Sequence, residues 1–221
     1  MNRKLQTFKY VLFDLLAATG AWSVFFYYRK TYVESNKFGY QVMVDMDERF
    51  IQGLVLIPLF WLIFYAVLGT YRKVFRKSRL KELFQTFLVT LIGVTALFFA
   101  LILDDEVLNH KTYYQSFAVL FGLHFGLTFI FRFILSSITA NKIHTRQIGF
   151  PTLMVGSDAN ALELYDELEG QRQASGNLFK GFIRVKERDS YPLQDRIPFL
   201  GNIENLTEVI EQHSIEEVII A

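Results

Sequence analysis

Ile51-Gln-Gly-Leu-Val-Leu-Ile-Pro-Leu-Phe-Trp-Leu-Ile-Phe-Tyr-Ala-Val-Leu-Gly-Thr-Tyr71 contains no Asp, Glu, Lys or Arg. About 20 such residues are enough for one helix to cross the hydrocarbon core of a bilayer. Two further runs, Leu83 to Leu103 and Thr112 to Phe131, are equally free of those four residue types. A fourth, roughly Phe8 to Tyr28, carries Lys9 at its start and is otherwise interrupted by Asp14 alone. Irregular backbone has no hydrogen-bond partners in lipid, so each run is expected to be a transmembrane helix. Trp22, Tyr27, Tyr28, Trp61, Tyr65, Tyr71, Tyr113 and Tyr114 fall mostly toward the ends of the runs, as interfacial aromatics do. Pro58 is expected to kink the second helix.

Composition agrees with this reading. Over the 221 residues, 52% are hydrophobic and 16% aromatic, above the usual range for a soluble domain. The excess lies before residue 140, and the remainder reads as globular sequence. This places a four-helix transmembrane domain at 1–147 and a second domain at 148–221. The chain has no cysteine, which excludes disulfides, thiolate catalysis and thiolate metal sites. A net charge of +1, with the cations at helix ends, gives no nucleic-acid stripe.

Lysine and arginine set orientation. Arg3 and Lys4 precede the first run and Lys9 stands at its very start, while Lys142 and Arg146 follow the fourth. The segment Gly69-Thr-Tyr-Arg-Lys-Val-Phe-Arg-Lys-Ser-Arg-Leu-Lys-Glu-Leu83 holds Arg72, Lys73, Arg76, Lys77, Arg79 and Lys81. The N-terminus, this connection and everything after residue 140 are therefore expected in the cytoplasm. Asp104, Asp105 and Glu106 then fall on the outer side. Each cation near an anionic membrane surface contributes about 1 kcal/mol. Arg72, Lys73, Arg76, Lys77 and Arg79 are thus candidate contacts for lipid headgroups or a partner domain. Within the runs, Asp14 and Arg132 could pair, and His124 reads as a helix-packing hydrogen-bond group.

Residues 151–156 read as a buried strand ending at Gly156. Ala161, Leu162, Tyr165 and Leu168 mark a helix whose other face carries Glu163, Asp166, Glu167 and Glu169. Residues 178–185 read as a second strand, 197–202 as a short apolar segment, and 217–221 as a third strand after a helix marked by Leu206, Val209, Ile210 and His213. Alternating strands and helices imply a parallel, Rossmann-like α/β sheet. The first turn, Gly156-Ser-Asp-Ala-Asn-Ala161, matches the dinucleotide fingerprint at its ends, but Asp158 replaces the middle glycine. Gly156, Ser157 and Asp158 are the candidate cofactor-binding residues. The alternatives are some other ligand at this helix N-terminus, or a purely structural or regulatory role with Ser157 or Asp158 capping the helix. No catalytic residue and no metal ligand is read from the chain.

The basic segment from Gly69 to Leu83 resembles the connection after the second span in two families of bacterial polysaccharide-assembly membrane proteins. The second domain resembles theirs in Gly156, Gly181-Phe-Ile183, Phe199-Leu-Gly201 and Glu217 to Ala221. One family is the polyprenyl-phosphate sugar-phosphate transferases that begin exopolysaccharide or capsule synthesis. The other is the membrane-anchored nucleotide-sugar dehydratases and epimerases. Arg184 and Lys186 depart from both, where acidic residues are usual.

The resemblance to the transferases implies four spans in the bacterial inner membrane and a cytoplasmic Rossmann-like, CoA-binding-like domain, incomplete at Ala221. It also implies transfer of a sugar phosphate from a UDP-sugar to undecaprenyl phosphate. The chemistry would lie in a further catalytic domain with an Asp-Glu pair and Mg2+, leaving this chain without a cofactor and in an anchoring or regulatory role. Its implied partners are the bilayer, undecaprenyl phosphate, a UDP-sugar and possible further copies of itself in a homo-oligomer. The alternatives are the corresponding part of a dehydratase or epimerase, and a membrane scaffold with no enzyme domain.

Overall fold

The computed structural model describes residues 3–40, 43–72, 79–102, 110–186 and 191–221. Two compact units divide the chain, Met1–Ile138 and Thr139–Ala221.

The first unit is helical. Helix α1 spans Arg3–Tyr28 and continues through a π-helical turn, Arg29–Glu34, into the single turn α2, Ser35–Phe38. Helix α3 spans Glu48–Val67, α4 spans Arg79–Leu97 with a π-helical continuation Phe98–Ile102, and α5 begins at His110. Four of these stretches are long and apolar enough to cross a membrane: Lys4–Glu34, Glu48–Val67, Arg79–Ala100 and Lys111–His144. Aromatic packing holds them together. Trp22, Phe25, Trp61, Tyr65, Val94, Leu97 and Leu120 form the core. Val55, Leu59, Ile63, Phe84, Leu88 and Ile92 face outward.

Two helix ends differ from the sequence expectation. Helix α3 stops at Val67, not Tyr71. Gly69 adopts φ +67°, a left-handed conformation that favours glycine, and the Thr70 N–H reaches back to the Tyr65 carbonyl. Helix α5 runs on past Phe131 to His144, because no glycine or proline interrupts residues 127–144. Asp47 starts α3 as expected of an N-cap, its carboxylate accepting from the Phe50 N–H at 3.0 Å.

The second unit is a four-stranded parallel sheet in the order β3-β2-β1-β4. Its strands are β1 Phe150–Val155, β2 Asn177–Arg184, β3 Phe199–Asn202 and β4 Glu217–Ile220. Helices α6, Ala159–Gly170, and α7, Leu206–Gln212, make the crossovers. Met154, Ala161, Phe182 and Leu193 pack one face, while Leu153, Val155, Ile183 and Val209 pack the other. Residues 199–202 are thus a strand rather than only an apolar segment. A preceding proline and an internal glycine hide their strand pattern, yet the Phe182 N–H donates to the Pro198 carbonyl at 2.9 Å.

Candidate functional site

In an open α/β sheet, ligands bind beyond the carboxyl ends of the strands, where the strand order reverses. Here β1 leads to β2 and β3 on one side and to β4 on the other, so the reversal falls between β1 and β4. The turn after β1 is Gly156-Ser157-Asp158, and the candidate cofactor residues therefore occupy that position. Gly156 has φ +129°, and a side chain there would meet the Ala221 carbonyl oxygen at 2.6 Å. Ser157 is buried. Asp158 caps α6, its carboxylate accepting from the Ala161 N–H at 3.2 Å. Asp158 is thus engaged in holding the helix start, where a dinucleotide site would expose backbone N–H groups to a pyrophosphate. Asp158→Ala should cost the helix about 1 kcal/mol and speed amide exchange across its first turn. Unchanged exchange there would refute the cap.

Along the same edge, Arg184 closes β2. Its guanidinium bonds Asn202 at the end of β3 and donates to the Tyr191 hydroxyl at 2.9 Å. It also lies 5.4 Å from the Phe199 ring centroid. The cation that departs from the family pattern therefore ties β2 to β3. Of the acids on α6, Glu163, Asp166 and Glu167 are exposed, and Glu169 pairs with Arg146 at 2.8 Å. Burial and then the Glu169 charge raise the Tyr165 phenol above its ordinary pKa.

The helical unit holds a buried polar network. Arg132 Nε and Nη2 donate to the two oxygens of Asp14, each at 2.8 Å, and both side chains are fully buried. This two-point geometry is the strong form of the arginine–carboxylate pair. The Tyr71 hydroxyl donates to Asp14 at 2.9 Å, and Arg132 reaches Thr86 Oγ1 at 3.4 Å. The guanidinium lies 4.2 Å from the Tyr65 ring centroid. Tyr65 in turn shares a 2.9 Å hydrogen bond with His124 Nε2. His124 is stacked on Trp61, with ring centroids 3.7 Å apart.

Asp14 and Arg132, which the sequence left as a possible pair, do pair, and His124 packs helices through a hydrogen bond. Tyr71, Thr86 and Glu82 were missed by sequence reasoning. Glu82, Thr86 and Thr90, four residues apart and all fully buried, form a polar stripe that could have flagged the inner face of α4.

Of the basic connection, Arg72 lies in the turn after α3 and Arg79 starts α4. Both are exposed, with Arg79 over the Phe133 ring at 5.7 Å. Lys73, Arg76 and Lys77 lie outside the described residues, as do Asp104, Asp105 and Glu106. Among the described residues, no three His, Cys, Asp or Glu side chains gather to hold a metal ion.

The profile of a family described as a CoA-binding domain matches residues 66–221. No curated protein matches the chain.

Proposed function

The chain belongs to the CoA-binding domain family, and on that footing we propose that it anchors and regulates a polyprenyl-phosphate sugar-phosphate transferase. The observation that carries the reading is the extent of the match. It takes in the end of α3, the basic connection, two membrane-length helices and the whole sheet. Domains of this family occur in proteins of the polyprenyl-phosphate sugar transferase type.

The four long helices span the bacterial inner membrane. The N-terminus, the basic connection and the sheet face the cytoplasm, where UDP-sugars are. The cations from Arg72 to Arg79 hold lipid headgroups or the transferase's catalytic domain. That domain supplies the Mg2+ chemistry that moves the sugar phosphate to undecaprenyl phosphate. The turn Gly156-Ser157-Asp158 acts as a structural or regulatory element of the sheet.

Deleting residues 66–221 from the gene should lower, at least tenfold, the transfer of labelled sugar phosphate from UDP-sugars to undecaprenyl phosphate in isolated membranes. The purified chain, given Mg2+ and the same substrates, should release no UMP above background. Undiminished lipid loading in the deletion strain would overturn the proposal. A changed pool of nucleotide sugars with normal loading would point to the dehydratase alternative.

A further inference from the structure

At the end of the helical unit where α1 gives way to its π-helical turn and α3 begins, the two helices border a cleft of about 420 Å³. That volume is within the range of small-ligand sites, roughly 300–1,000 Å³. Its apolar wall is Trp22, Phe26, Leu56 and Ile57. Its rim is charged: Arg29, Lys30 and Arg49 against Glu34 and Asp47. The rim on α1 is the π-helical turn Arg29–Glu34, a conformation that is rare and frequent at functional sites. That turn brings Lys30 within 3.1 Å of both Glu34 and Asp47, and the Lys30 ammonium lies 5.6 Å from the Phe26 ring centroid. One lysine therefore ties the two carboxylates together. Three cations against two acids leave the rim net positive, with two arginines whose planar guanidinium groups suit a phosphate.

We propose that this cleft binds a phosphate-headed anionic membrane lipid, its head on Arg29 and Arg49 and the start of its chain along Trp22 and Leu56. The apolar wall directly beneath a charged rim argues for a lipid over a soluble anion. Residues 29–34 and 47–53 stand where the long apolar helices begin and end, which in a bilayer is headgroup level. The apolar wall continues from that level onto the outward-facing Val55 and Leu59 of α3. The site is separate from the basic connection, which lies beyond the opposite end of α3. The inference rests on the membrane-spanning reading.

The test places the full chain in phosphatidylcholine nanodiscs. A small fraction of the lipid is acyl-brominated, either phosphatidylglycerol or phosphatidylcholine. Bromine quenches tryptophan on contact, and the chain has two, Trp22 in the cleft and Trp61 in the core. Brominated phosphatidylglycerol should quench at least threefold more effectively per mole than brominated phosphatidylcholine. Arg49→Glu should reduce that ratio to about one, Arg49→Gln should fall between, and Arg172→Glu in the second unit should leave it unchanged. Equal quenching by the two lipids overturns the lipid site while leaving the membrane reading intact. Relief of the quenching by millimolar inorganic phosphate also overturns it, since the cleft would then take a soluble anion. Quenching by neither lipid overturns both.

Discussion

Replacing Asp14 with leucine is expected to destabilise the helical unit by about 3–5 kcal/mol, the cost of stranding one member of a buried ion pair. Arg132 would keep its full charge but lose both of its 2.8 Å bonds, which end on Asp14. The Tyr71 hydroxyl would lose its acceptor in the same step. Purified in detergent, the variant should aggregate at a markedly lower temperature or fail to yield monodisperse protein. The double variant Asp14→Leu, Arg132→Met removes both charges and should recover most of the loss, because a buried pair replaced whole by apolar side chains is often neutral. A single variant as stable as the parent would mean that the pair does not hold the helices together.

Gly93→Val is expected to cost about 3 kcal/mol, at the upper end for overpacking. A Cβ at position 93 would sit 2.4 Å from two carbons of the Trp61 ring. Trp61 is fully buried, and it cannot retreat without breaking its stack on His124. Thermal denaturation followed by tryptophan emission should report both the loss of stability and a red shift of the buried indole. Trp61→Phe should relieve much of the strain in the Gly93→Val background, since the two positions share one contact. Additive effects would show that the glycine has another purpose.

The helices were legible because lipid-compatible runs are the strongest signal a sequence carries, and the alternation of strand and helix after residue 150 was nearly as clear. What escaped was local or distant. The end of α3 at Val67 depends on a left-handed glycine two residues on, which apolar composition does not register. β3 is four residues long, and only its pairing with β2 makes it a strand. Asp14 and Arg132 were legible as charges that could pair, but Thr86, which also bonds Arg132, was not. Tyr71 looked like one interfacial aromatic among many, but its hydroxyl completes the bonding of Asp14. The cleft between α1 and α3 depends on a π-helical turn, for which ordinary helical spacing gives no cue.

The separation of Asp14 from Arg132 by 118 positions also has a meaning in time. Ribosomes add about 5–20 residues per second, so some 6–24 s pass between the emergence of the carboxylate and that of its guanidinium. On the membrane-spanning reading, α1 enters the bilayer first and waits there with an uncompensated acid. An acid at a helix centre costs insertion roughly 2.5–3.5 kcal/mol. The leucines, phenylalanines and valines of residues 8–26 must outweigh that penalty without help. The bundle is therefore provisional for most of its synthesis, and the arrival of α5 locks its first helix in place.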